Sequence, residues 1–459
     1  MQCNEPRAPV RRASGRQKGT FATVIALLGW WVSDYAFAIE AANVDTTSTG
    51  THAGMVITGS EMSMPGLYGP YAMTREASGT SWQPDSSSMT GLHSMSGPWM
   101  TMVHGTIAGV YTHQGGPRGD SQTFNETMLM VMARRAIGDD ALSIRTMASL
   151  EPLMGPRGYP ELFQTGETAN GRDPLIDRQH PHNLLMEVAG SYSKTMSSAS
   201  SVFVYGGPIG EPALGPPAYM NRASSEANPD APLTHHWLDG THTSFGVVTA
   251  GVVWRSLKIE GSYFNGREPN EHRYSVQFRA FDSSSVRLSY NPTADWSLQV
   301  STGRLASPEQ LEPDAAVRRT TASASYNHSF GSVQWQTTAA WGRNAPSSKR
   351  ASDGYLLDSA LRLGRGDAVF VRFEHVVKDE LIQPGEPFLG QPFSLKKVSV
   401  GYVVDFAERW HLRFGIGGVF SEHWFPRALT PVYGRDPCGY SLFVRAKLVP
   451  EYMDTSGKT

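Results

Sequence analysis

From about residue 100 to 448, apolar and polar residues alternate at period two in short runs. Trp410, Leu412, Phe414 and Ile416 interleave with His411, Arg413, Gly415 and Gly417, and Val333, Trp335, Thr337, Ala339 and Trp341 interleave with Gln334, Gln336, Thr338 and Ala340. That period marks strands with one apolar and one polar face. The candidate strands are 100–112, 124–136, 141–150, 183–193, 200–206, 245–255, 257–264, 284–291, 295–303, 319–329, 332–342, 355–363, 368–377, 395–405, 409–420 and 439–448. Their connections alternate between short turns, such as Ile137-Gly138-Asp139-Asp140, Pro292-Thr293-Ala294 and Ala407-Glu408, and long loops, such as 151–182 and 207–244. A soluble sandwich has no cause for that rule, whereas an outer-membrane barrel puts short turns in the periplasm and long loops outside. Runs of roughly 9–11 residues also suit a tilted span of the bilayer. The pattern therefore predicts an all-β fold, an antiparallel up-and-down transmembrane β-barrel of about 16 strands (14–18), with both termini in the periplasm. Tyr274 to Ala280 alternates too, but an extra strand would break the parity, so it is read as loop.

The N-terminus adds an address. Arg7, Arg11, Arg12, Arg16 and Lys18 precede the apolar stretch Phe21–Val32, and Ala36-Phe37-Ala38 follows as a small-residue cleavage site. Residues 1–38 read as a secretory signal peptide cleaved near Ala38. Residues 39–99 form a Met- and His-bearing irregular segment, loop-like or disordered in the periplasm, 100–448 the barrel and 449–459 a polar tail. The expected location is the outer membrane of a Gram-negative bacterium, with lipid around the barrel. Cys3 falls in the signal, so Cys438 is expected to stand alone without an internal disulfide. With 40 Lys+Arg against 42 Asp+Glu and a mean hydropathy of −0.32, the chain lacks the basic footprint of a nucleic-acid partner and the long apolar runs of a helical membrane protein.

Two clusters carry candidate chemistry. Eight of 18 methionines fall between Met55 and Met102, with Met62, Met64, Met95, Met100 and Met102 close to His93 and His104. Met128, Met130 and Met132 follow at period two, on the face predicted to point into the lumen beside Met102 and His104. Thioethers select soft ions, chiefly Cu(I) and its mimic Ag(I), although Met is also flexible apolar filler. The second cluster lies in loops: His180 and His182 in Asp177-Arg178-Gln179-His180-Pro181-His182, and His235, His236 and His242 in the run to Thr241-His242. Imidazoles with carboxylates suit Zn(II), Cu(II) or Ni(II), and Asp177 or Asp239 could orient a ring. The spacing matches no established zinc pattern, and the same residues could simply form a hydrogen-bond network that folds the loops into the mouth. A catalytic reading, His242 as base, Asp239 as orienter and Ser244 as nucleophile, is the weaker alternative, and the chain is read as a non-enzyme.

The order of signal, Met/His-bearing head and barrel resembles the outer-membrane copper-resistance B proteins, which implies copper handling. The runs DRQHPH (177–182), FNGREPNE (264–271) and KDEL (378–381) resemble more closely a set of uncharacterised Gram-negative outer-membrane proteins, which implies a barrel and no activity. The first functional reading is thus a channel- or transporter-like barrel that binds or exports a soft metal, copper. The alternative is a general or substrate-specific porin for small solutes with no metal role, for which a homo-oligomer is a familiar assembly, and the third is a surface hydrolase or adhesin.

Overall fold

The computed structural model describes residues 64–88, 91–364 and 366–449. Nineteen strands are described: β1 (Leu92–Ser96), β2 (Trp99–Gln114), β3 (Ser121–Ile137), β4 (Asp140–Ala148), β5 (Tyr159–Thr168), β6 (Pro174–Gln179), β7 (Leu185–Ser197), β8 (Ser200–Ile209), β9 (Val247–Trp254), β10 (Leu257–Phe264), β11 (Ser283–Tyr290), β12 (Trp296–Leu305), β13 (Val317–Phe330), β14 (Val333–Pro346), β15 (Ser352–Leu363), β16 (Asp367–Lys378), β17 (Phe393–Arg409), β18 (Leu412–Trp424) and β19 (Cys438–Leu448). Sixteen of them close into one antiparallel barrel. Each pairs with its sequence neighbour, β4 with β7, and β19 returns to β2 from Gly439↔Gln114 to Lys447↔Thr106. All sixteen lie where the alternation placed them, and Tyr274 to Ala280 is loop.

The remaining three strands are local additions. β1 folds back on the start of β2, and β5–β6 is a separate hairpin inside the β4–β7 loop. One turn is corrected: β17 runs through Ala407 and Glu408 and reverses at Trp410-His411 instead. A bulge between Asp405 and Ala407 slips the register by one residue, and both turn residues have positive φ (54° and 60°), as a tight hairpin with right-handed strand twist demands. Cys438 is buried at the start of β19, and the chain's other cysteine, Cys3, lies outside the described residues.

The outer face carries the apolar set. Val252, Ile259, Val286, Leu288, Val300, Val371, Ile416 and Val444 are exposed there, a belt that hydrocarbon rather than water satisfies. The inner face is polar, and it is covered. Residues 64–88 carry little regular structure, yet Leu67, Tyr68, Tyr71, Met73 and Trp82 are buried against the wall near the short turns. Residues 210–246 and 149–184, the two longest loops of this half, fold in from the opposite end; the first is almost wholly buried, and the second is buried over 158–165 and 179–183 with its tips exposed.

The wall holds these segments by a repeated device. A lumenal arginine pairs with an acid on the adjacent strand and gives a spare N–H to the segment. Arg145 pairs with Glu187 (2.8 Å) and donates to Ala77 O (3.1 Å). Arg287 pairs with Glu260 (2.9 Å) and reaches Thr80 Oγ1 and Gly215 O. Arg372 pairs with Asp358 (2.7 Å) and reaches Asp230 O (2.6 Å). The carboxylate neutralises the buried guanidinium while its remaining donors satisfy backbone carbonyls that would otherwise be stranded.

Candidate metal centre

Five histidines from two loops meet beneath the long-loop end of the barrel. His180 and His182 follow β6, while His235 and His236 open a single helical turn, His235–Leu238, and His242 comes just after it. The rings form an arc with centroid separations of 5.2 Å (His182–His242), 5.1 Å (His242–His235), 5.5 Å (His235–His236) and 5.8 Å (His236–His180). Two imidazoles sharing one ion at about 2.0–2.1 Å from nitrogen have centroids about 5–6 Å apart.

Each ring is tied back through Nδ1. His182 donates to Glu151 (2.9 Å), His235 to Asp239 (3.1 Å), His242 to the Asp239 carbonyl (2.9 Å) and His180 to the Pro181 carbonyl (3.3 Å), and His236 Nδ1 lies 3.5 Å from Glu268. Carbonyls and carboxylates only accept, so in His182, His235 and His242 the tied Nδ1 carries a proton and Nε2 is the nitrogen left over. The Nε2 atoms of His180, His182, His236 and His242 are buried without a hydrogen-bond partner. His180 stands between two acceptors, Pro181 O at Nδ1 (3.3 Å) and Glu167 Oε1 at Nε2 (3.4 Å), and Arg273 pairs with the same Glu167.

Burial holds three of the rings below the ordinary imidazole value. It pulls His180 well below the ordinary 6.5, with His236 and His235 adding repulsion, and holds His242 at about 3, with His235 and His182 acting the same way. His235 is also lowered by burial, although Asp239 pushes back. For Asp239 burial opposes ionisation, but His235 and Arg222 outweigh it and bring the carboxyl to about 2. Imidazoles set among carboxylates are the donor set of a borderline divalent ion. As placed, no three His, Cys, Asp or Glu side chains among the described residues already converge on one coordination point.

The surrounding backbone is built for closeness. Gly166 (φ +103°) stands so near His236 that a Cβ there would lie 2.9 Å from Cε1 and 3.1 Å from Nε2. Phe163, Glu167 and Asp177 hold positive φ in the β5–β6 hairpin, which costs about 1–3 kcal/mol each. Phe163 is held by stacking on Tyr433 (4.4 Å) and by its N–H on Asp177 Oδ1 (2.8 Å). Sequence reasoning missed Glu151, Glu167 and Gly166. Glu268 stood inside the FNGREPNE run, the one available signal.

The methionines go elsewhere. Met100, Met102, Met128, Met130 and Met132 are buried on the lumen side, Met102 opposite Met132 and His104 opposite Met130, with Met64 half-buried beside them. His104 lies close enough to Glu226 to lower it. His93 and Met95 are exposed on β1, and Met62 lies outside the described residues. The catalytic alternative is not assembled: Asp239 turns its carboxylate to His235, His242 holds only its carbonyl, and Ser244 Oγ donates to Thr241 O (3.2 Å).

No family model and no curated protein matches the chain. Among solved structures it is similar to an anion-selective porin from Comamonas acidovorans (10% identity, TM-score 0.48, 76% of this chain and 100% of that one). It is also similar to OmpF of Salmonella typhi (9%, 0.47, 78% and 100%) and to OccAB1 of Acinetobacter baumannii (7%, 0.39, 76% and 96%). Likenesses this distant transfer no ligand and no activity.

Proposed function

We propose that this chain is an outer-membrane barrel whose filled lumen binds a transition-metal ion of the copper or zinc class on the histidine arc. One observation carries the reading: the Nε2 atoms of four buried imidazoles, His180, His182, His236 and His242, gather without a hydrogen-bond partner. A buried acceptor left unmade costs about 1–3 kcal/mol, and several in one place describe a site whose partner is a cation. Coordination requires the rings to turn, since they do not converge on one point as placed.

Full-length protein in detergent, titrated with Co(II) as a visible probe, tests this. The expected result is saturable binding with the absorption of a nitrogen-rich site, lost in His182→Ala/His242→Ala while the barrel keeps its heat-dependent gel mobility. Failure of the wild type to bind Co(II), Cu(II) or Zn(II) overturns it.

A second reading rests on the wall itself. Sixteen strands enclose enough width for an aqueous pore, and a porin follows if the filling segments withdraw. Steady conductance of the full chain in a planar bilayer at neutral pH, insensitive to metal, favours that reading.

A further inference from the structure

Met102 faces Met132 across β2 and β3, and Met130 faces Met147 across β3 and β4. These pairs climb the inner wall from the short-turn end towards the loops. At the top, Met186 is fully buried beside the end of β4, four residues after His182. Met147 similarly lies four residues before Glu151, the acid that holds the His182 ring. Met220 packs on the same cluster, and its neighbour Tyr219 has its ring 5.9 Å from His182 and 5.5 Å from His235. The buried thioethers thus run along the inner wall from the short-turn end to chain positions that flank the arc, Met147 before Glu151 and Met186 after His182.

Generic filling does not account for their distribution. Eight of the 21 buried residues of this apolar cluster are methionine, whereas the other two apolar clusters of the described residues contain none among their buried members. Leu, Ile or Val would fill the same space with less loss of order. What Met alone offers there is a neutral, polarisable sulfur that binds soft monovalent ions weakly enough to release them.

We infer that this methionine ladder carries a soft monovalent cation, Cu(I) or its mimic Ag(I), between the short-turn end of the barrel and the histidine arc. The inference rests on the metal reading of the arc. The ion keeps its charge throughout, exchanging one set of thioethers for the next and finally for imidazole nitrogen.

The test uses full-length protein in detergent and two probes. Ag(I) reports on the ladder and Co(II), which has no preference for thioether, on the arc. Replacing Met102, Met130, Met132 and Met147 by Leu keeps the volume and removes the sulfur. The expected result is Ag(I) uptake slowed by at least about tenfold, with sulfur scattering around bound silver reduced and Co(II) affinity unchanged. Silver uptake within about twofold of wild type overturns the ladder and leaves the arc standing. Loss of Co(II) binding in the wild type, with silver still on sulfur, overturns the arc and with it the ladder's destination. Selenomethionine-labelled wild type supplies a measurement that no folding defect can confound: a silver–selenium shell in X-ray absorption supports the ladder, and its absence removes it.

Discussion

His182 shows at one residue how the arc was half legible and half hidden. The ring itself was a plain candidate from DRQHPH, but the acid that orients it, Glu151, lies 31 residues earlier and looks like any loop carboxylate until β4 and the β5–β6 hairpin fold together. Asp239, by contrast, was legible because it sits one helical turn from His235. Groups that hold a ligand ring in place typically contribute about 10–100-fold to metal affinity, so Glu151→Gln is expected to weaken Co(II) binding by that order in an equilibrium titration, with thermal stability little changed. Gly166 was invisible for another reason, since nothing in sequence tells a glycine of a turn from one that clears a ring. Gly166→Ala places a methyl at the His236 Nε2 face and forces a backbone conformation that alanine resists. The expected outcome is loss of the part of the Co(II) spectrum that His236→Ala also removes. An unchanged spectrum in either glycine or glutamate variant counts against the assignment of that residue.

At the scale of elements, the barrel strands were readable because each has one face on lipid and one on a polar interior, so the period-two signal is strong. The pieces that fill the lumen lack that contrast. Residues 64–88 bury large apolar and aromatic side chains beside polar ones, and the wall's arginines reach the Ala77 and Gly79 carbonyls and the Thr80 hydroxyl, a contact between distant segments that no local pattern encodes. The helical turn His235–Leu238 is similarly fixed from outside: Trp237 enters a socket where Gly342 on β14 and Gly354 on β15 leave room for it, and its Nε1–H donates to Ser352 Oγ (3.0 Å). A Cβ at Gly342 would run into the Trp237 carbonyl oxygen. Gly342→Ala is therefore expected to displace the turn that carries His235 and His236 while β13, β14 and β15 still pair. Faster amide exchange confined to residues around 235–242, with the barrel strands still protected, is the result to look for. Protection unchanged at those amides means the socket does not set the turn.

For the molecule as a whole, what decides between a closed chamber and a pore is how firmly the inner segments are held. Glu226, on the loop between β8 and β9, is clamped by Arg362 of β15 and Lys447 of β19, which brings two distant parts of the wall to one carboxylate. Burial alone would disfavour the ionised form, but the two cations outweigh it and hold the carboxyl well below its ordinary 4.5. A carboxylate depressed in the folded state gives stability that is present above the unfolded value and disappears as pH falls towards the folded one. The clamp is therefore intact from neutrality down to the ordinary carboxylate range, and it weakens only in stronger acid. Full-length protein in a planar bilayer should accordingly stay closed at neutral pH and through mild acid, then show conductance steps well below pH 4.5. Glu226→Gln removes the charge at every pH and strands two buried cations, a change that typically costs about 3–5 kcal/mol, so this variant should open already at neutral pH and lose the acid dependence. Equal conductance of wild type and variant across the range would mean that the loop is held elsewhere, and that the arginine forks on Thr80, Gly215 and Asp230 alone keep the lumen shut.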